Sequence, residues 1–336
     1  MDRHQRQRVA NPVHRGKPTS LIRRAIPALR VLLAFAILAI LVRLAGPEGV
    51  LARIAECPWP AALAGFSAAF LGQWLGAIRL KVLARSQRLP LTHMKALTVN
   101  LSAMFYGLFL PGGNVTGWAI RLFHLTPGAS GLGTALVVLV GDRAVATAAG
   151  AGIGLLAGFL MSSSTLPAVT FLLLATAAGM SLLGLTLFTR SLDAVLGLAK
   201  RAPGIRWAAE YLRRAGSLDR RPGFLTVVAA ILLSAAVHVS GIASWFVLAR
   251  ALGLEVDVST IAWVRSAAMV VALVPVTIGG LGLREGAVVY LMAGLGVASV
   301  DALSLSLLVF AVTVFAIGLV GGVLEGYGHF THRNPG

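Results

Sequence analysis

The chain lacks most of what a soluble enzyme relies on. Its 336 residues hold one cysteine, Cys57, which excludes an intramolecular disulfide and any cysteine-built zinc site. Asp and Glu number only 12 against 29 Lys and Arg, and charged residues make up 12%, about half the share of a soluble domain. The histidines (His4, His14, His93, His124, His238, His329, His332) are scattered and give no HExxH or other metal-ligand spacing. No metal or cofactor is therefore expected. Ser/His/Asp and paired-carboxylate patterns are missing too. GAGIGLLAG at 150–158 has glycine spacing that resembles a nucleotide loop, but no strand precedes it. Gly150, Gly154 and Gly158 instead share one helix face suited to close packing.

What is abundant is apolar surface, with 57% of residues hydrophobic. Apolar runs fall at 27–45, 60–80, 94–125, 131–160, 165–189, 224–250, 259–297 and 301–324. Most are long enough to cross a hydrocarbon core and too long for barrel strands. The fold expected is an all-α polytopic integral membrane protein, because only helices or closed barrels satisfy every backbone group in lipid. The net charge of +17 lies mainly in the intervening loops, where it reads as a topology signal and as contact with anionic lipid, not as a nucleic-acid footprint. Residues 1–28 read as a disordered basic cytoplasmic tail, 29–325 as the membrane domain and 326–336 as a short cytoplasmic tail. The first run follows too long a polar stretch for a signal peptide and is read as a retained helix.

The third and seventh runs are broken, by LPGGNVTG at 110–117 and by VPVTIGGLG at 274–282. The positive-inside rule decides what the breaks mean. The N-terminal tail, the loop with Arg79, Lys81, Arg85, Arg88 and Lys95, and the Arg-rich loop 190–222 all belong in the cytoplasm. A full crossing by the third run would put loop 190–222 outside. If that run turns back at Pro111-Gly112-Gly113, and the seventh run turns likewise, every loop fits. The expectation is six full spans and two re-entrant hairpins, in the order span, span, hairpin, span, repeated with inverted topology. Loop 190–222 alternates apolar residues with arginines and is expected to lie as an amphipathic helix on the inner leaflet.

Charges inside the membrane cost about 2.5–3.5 kcal/mol each on insertion scales, so the few present are informative. Asn114 and Arg121 follow the first break, Asp142 and Arg143 lie in the fourth run, Arg265 opens the seventh, and Arg284 and Glu285 follow the second break. A helix that restarts within the membrane presents unpaired N–H groups and a partial positive charge. Gly112 and Gly113 precede one restart, Gly279 and Gly280 the other, and an arginine follows each. Two helix starts with Arg121 and Arg284 form a cradle for an anionic headgroup. The structural alternative pairs Arg143 with Glu285 and Arg284 with Asp142, because neighbours on a helix do not face each other. Arg79 and Lys81 read as snorkelling from a helix end, and His238 as a hydrogen-bonded interior residue.

Three stretches resemble a known family. VTIGGLGLREGAVVYLMAGLGV is similar to the signature of the flippase-like, lysylphosphatidylglycerol-synthase transmembrane-region family, through Pro275, Gly279, Gly280, Gly282, Arg284, Glu285, Gly286 and Gly296. GLFLPGGNVTGWAIRLFHL resembles its first turn, through Leu110, Pro111, Gly112 and Arg121, and VLVGDRAVATAAG resembles its Asp-Arg element. The chain departs from the pattern in having no acid shortly before Arg121 and no Trp in AIRLKVLAR. The resemblance covers about residues 30–325 and implies a bacterial inner-membrane protein that handles lipid. It implies no aminoacyl transfer by this chain, since only about a dozen polar residues follow the last run.

The reading that results is a flippase-like protein that binds and translocates an anionic lipid of phospholipid or polyprenyl-phosphate type. Its site would comprise Gly112, Gly113, Asn114, Arg121, Asp142, Arg143, Gly279, Gly280, Gly282, Arg284 and Glu285, with Asp142 and Glu285 as proton carriers. The rivals are a membrane enzyme acting on a lipid phosphate or lipid-linked sugar, and an accessory subunit that docks a glycosyltransferase or other lipid-biosynthesis partner through loop 190–222.

Overall fold

In a computed structural model the described residues are 19–110, 113–126, 131–161, 168–189, 222–273, 277 and 280–333, and the secondary structure among them is helical. In chain order the helices are α1 (Thr19–Ala45), α2 (Pro47–Ala55), α3 (Trp59–Ser86), α4 (His93–Phe109), α5 (Asn114–Leu125) and α6 (Leu132–Leu160). There follow α7 (Ala168–Thr189), α8 (Phe224–Ala251), α9 (Val258–Val271), α10 (Leu283–Ala293), α11 (Ser299–Val309), a π-helical turn (Phe310–Phe315) and α12 (Ala316–Arg333). Among the described residues four stretches are long and apolar enough to cross a membrane: α3, α6, α8 and the continuous run Ser299–Tyr327. This is a multi-pass membrane protein. Phe159 and Phe224 stand 73% and 80% exposed, an outward apolar surface suited to lipid and costly in water.

Two elements were not anticipated. Helix α1 begins at Thr19, so the last residues of the expected tail are helical. After Gly46, at φ 87°, the chain bends by 88° into α2, with Pro47 in its first turn. Helix α2 lies against α11, where Arg53 Nε donates to Asp301 at 2.7 Å.

Helices α3 and α8 form the central pair. Both run 28 residues. They pack antiparallel: Gly65 lies against Leu248, Gly72 against Ser240, and the Ser244 hydroxyl donates to the Gly65 carbonyl at 2.7 Å. Each ends in the same turn. The Leu89 N–H reaches the Ala84 carbonyl at 2.9 Å, and the Leu254 N–H reaches that of Ala249 at 3.0 Å. The residue before each is left-handed, Arg88 at φ 56° and Gly253 at φ 72°. This is the glycine-type helix stop, with Arg88 bearing the strain at one end. Leu89 and Leu91 then bury like Leu254 and Val256; Thr92 caps the next helix by accepting from the Lys95 N–H, and Asp257 holds the matching N-cap position without a side-chain hydrogen bond.

Two further pairings join helices far apart in the chain. Helix α12 packs on α4, where a Cβ on Gly321 would stand 2.1 Å from the Leu101 carbonyl oxygen. Helix α9 packs on α6, with Gly154 against Ser266 and Gly158 against Trp263. The expected small-residue face of α6 is thus a packing face. Helix α5 folds back along α4, with Gly117 close to the Ala103 carbonyl and Gly107 close to that of Gly113. At the second break Gly280 lies against Ala272 and Gly282 against Ala34 and Ile37 of α1. Loop 190–221, with the expected amphipathic helix, lies outside the described residues.

Candidate functional site

Asp142 sits midway along α6 and is 3% exposed. Its partners differ from those the sequence suggested. Arg79 Nε donates to Asp142 Oδ1 at 2.7 Å, and Arg121 Nη1 lies 3.5 Å from Oδ2. Arg79 also donates through Nη1 to the Ser234 hydroxyl of α8 at 3.0 Å. Arg79 is only 7% exposed and does not snorkel: it lies about two turns inside α3, on the face buried against α6 and α8. One carboxylate therefore joins α3, α5 and α6, and Ser234 adds α8.

Glu285 is fully buried. Its Oε2 accepts from the Gly282 N–H at 2.6 Å, and its Oε1 accepts from Arg284. The pairs of the structural alternative, Arg284–Asp142 and Arg143–Glu285, do not form among the described residues. The neighbour rule fails at Arg284 and Glu285 because they lie in the first turn of α10. There Glu285 turns back to the helix start and the long Arg284 side chain follows it. The Arg284 guanidinium also lies 5.3 Å from the centre of the Phe310 ring, in the π-helical turn.

His238 of α8 is buried and hydrogen-bonded, as expected. Its Nε2 lies 2.8 Å from the Ala146 carbonyl and its Nδ1 3.2 Å from Arg265 Nη1. A guanidinium only donates, so Nδ1 must accept and Nε2–H donates, which makes the imidazole neutral. Gly241 leaves the space that the Arg265 guanidinium fills, and Gly150 the space for the His238 ring.

Arg143 differs from the others. Among the described residues it makes no ion pair or hydrogen bond, while Arg121, Asp142 and Arg79 lie within electrostatic reach. It lines a pocket of about 530 Å³ between α5, α6, α7 and α9, with Trp118, Thr147, Leu173, Met180 and Leu273. The walls are largely apolar and Arg143 supplies the charge. Among the described residues of these elements, Arg79, Arg121, Arg143, Arg265 and Arg284 outnumber Asp142 and Glu285. The result is a membrane interior with excess positive charge.

The lysylphosphatidylglycerol synthase TM region, as a family, matches residues 28–321. The chain belongs to this family. No curated protein matches it. Family membership agrees with the resemblance carried by the Asp-Arg and Arg-Glu-Gly elements and links the protein to lipid handling in the membrane.

Of the residues the sequence singled out, Arg121, Asp142 and Arg143 come together, with Gly113 at the start of the helix that carries Arg121. Gly280, Gly282, Arg284 and Glu285 gather at the second break, and no ion pair joins the two groups among the described residues. Gly112 and Gly279 lie outside the described residues, as does the side chain of Asn114. Sequence reasoning missed Arg79 and Ser234. Arg79 was visible as a charge at the end of the apolar run 60–80, but its partners are 63 and 155 residues away.

Proposed function

We propose that this protein binds an anionic lipid and moves it across the bacterial inner membrane. The observation that carries the reading is Arg143, a cation without an ion-pair partner among the described residues at the wall of an apolar pocket. Arg143 stands exposed on the open wall of that pocket, and a cation within the bilayer costs about 2.5–3.5 kcal/mol on insertion scales unless something compensates it. A phosphate ester on a long hydrocarbon supplies the negative charge for Arg143 and the apolar surface for Leu173, Met180 and Leu273. A pocket of about 530 Å³ is of ligand size. The start of α5 at Gly113 adds the partial positive charge of a helix N-terminus.

The packing supports an inverted repeat. Equal-length α3 and α8 run antiparallel and end in matching turns, and a two-fold axis that exchanges antiparallel neighbours lies across them, in the membrane plane. The pairing of α12 with α4 and of α9 with α6 is the exchange such an axis makes. Helices α4 and α5, and α9 and α10, are then the two re-entrant hairpins, six spans cross, and both termini are cytoplasmic. The halves would rock about the α3–α8 pair.

The test is lipid binding and translocation in proteoliposomes, with phosphatidylglycerol and a polyprenyl phosphate compared. R143A is expected to lower binding and translocation at least about tenfold, the loss of one charge-assisted contact. Full activity in R143A would overturn the reading. A zwitterionic lipid bound as tightly as the anionic ones would overturn it too.

A further inference from the structure

A second titratable cluster lies apart from Asp142 and Glu285. Glu325 of α12 accepts from the Ser102 hydroxyl of α4 at 2.5 Å, and His124 Nε2 of α5 lies 3.6 Å from its other oxygen. Its side chain is 15% exposed and that of His124 is 27%. The Tyr106 phenol, also on α4, lies within electrostatic reach. The π-helical turn, FAVTVF, brings no titratable group. Helix α3 also touches α12 and carries Arg79, Lys81 and Arg85, but none forms an ion pair with Glu325 among the described residues.

The depth of the cluster matters. Ser102 is about nine residues into α4, roughly 13 Å from the helix start, and Glu325 is a similar distance from the end of α12. Glu325 lies in the last turn of the apolar stretch Ser299–Tyr327, so the cluster stands toward one end of that span, within reach of protons from the water. Acids within an apolar span are rare and tend to serve ion or proton paths. The other two acids of the interior are each held by arginine. Removing the charge of Asp142 would strand Arg79 and Arg121, and removing that of Glu285 would strand Arg284 and open the cap of α10. A carboxyl, a hydroxyl and an imidazole, with no arginine, can hold or release one proton without stranding a cation.

His124 is one turn beyond Arg121 on α5, so the two share a face. Helix α5 is tied to α6 through Arg121 and Asp142, and to α12 through His124 and Glu325. We propose that Glu325, His124 and Ser102 form a proton-binding site that couples the position of α5, and with it Arg121, to proton movement. The coupling rests on the translocation reading above; the proton site does not. With Glu325 ionised and His124 protonated the second tie is an ion pair. When Glu325 takes up a further proton its negative charge and the ion pair are lost, the imidazolium left behind can shed its own proton to water, and α5 is released from α12.

Two measurements on the full chain in proteoliposomes test this. Infrared difference spectra between acidic and alkaline buffer should show a protonated-carboxyl band that E325Q removes and E325D retains at a shifted position. A band unchanged in a monodisperse E325Q would overturn the proton site, and E325D serves should E325Q fail to fold. Fluorescent phosphatidylglycerol should accumulate on one side under an imposed pH gradient, by up to about tenfold per pH unit if one proton moves per lipid. E325Q and H124Q should each abolish that accumulation. Retention of the full gradient response in E325Q would overturn the coupling. If the wild type moves no lipid, translocation and coupling fail together, and the infrared result alone decides the proton site.

Discussion

Replacing Arg79 by Leu tests whether Asp142 is held as described. The variant removes the 2.7 Å bond to Asp142 and the 3.0 Å bond to Ser234. Arg121 remains, at 3.5 Å. Breaking a buried ion pair by removing one partner costs about 3–5 kcal/mol. R79L should fall near 3 kcal/mol, the lower end of that range, because one cation still faces the carboxylate. D142L should fall near 5 kcal/mol, the upper end, because it strands two guanidinium groups in an interior already rich in positive charge. The double variant should recover much of the loss, since an apolar pair of similar volume often matches a buried ion pair. Reversible unfolding of the detergent-solubilised protein by denaturing detergent would give the three free energies, and the double-mutant cycle their coupling. Additive single losses, or an R79L loss within about 0.5 kcal/mol of zero, the range of ordinary surface changes, would refute the pairing.

Two further predictions concern topology and packing. Cys57 lies between α2 and α3, on the face assigned to the outside. Burial raises its thiol above the ordinary range, so its reaction with an impermeant maleimide should start slowly at neutral pH, accelerate as the pH rises and proceed only from outside. A cysteine at Ser217 in a Cys57→Ser background should label only from the opposite side, and labelling of both from one side would remove the inverted arrangement. G321A places a methyl 2.1 Å from the Leu101 carbonyl oxygen, so α12 must shift away from α4. A destabilisation of about 1–3 kcal/mol is expected from such overpacking, and a neutral G321A would show that this contact is loose.

Much of the helical frame was legible. The apolar runs at 60–80 and 224–250 became α3 and α8, and the interruptions at 110–117 and 274–282 coincide with the ends of α4 and α9 and the restarts at α5 and α10. Proline and glycine end helices for local reasons, and local reasons are written in sequence. Helix α2 also had a local sign, the Gly46-Pro47-Glu48 start, which fits the first turn of a helix. The π-helical turn had none, because its ladder depends on the packing around it. Partner choice was the least legible feature. Apolar context shows that a charge at Arg79 is costly but not where its counter-charge lies. The alternative pairing of Arg143 with Glu285 and Arg284 with Asp142 was reasonable by helix geometry, and it failed because Arg79, read as snorkelling, and the Gly282 N–H, read as facing a headgroup, hold the two carboxylates instead.

That competition also makes the two breaks unequal, although their sequences look alike. Each has glycines, a restart and an arginine. At the second, the Glu285 carboxylate already occupies the helix start and neutralises Arg284, so an incoming anion meets a negative charge and must displace a 2.6 Å hydrogen bond. At the first, no side-chain hydrogen bond caps Gly113, and Arg121 shares its carboxylate with a nearer arginine. The missing acid before Arg121, a departure from the family pattern, has the same effect: it leaves the first half with more unspent positive charge. Arg143 lies on that half as well. The electrostatics therefore favour an anion at the first break, because the Arg284–Glu285 pair at the second is already neutral in charge, although the buried Arg284 Nε has no hydrogen-bond partner among the described residues.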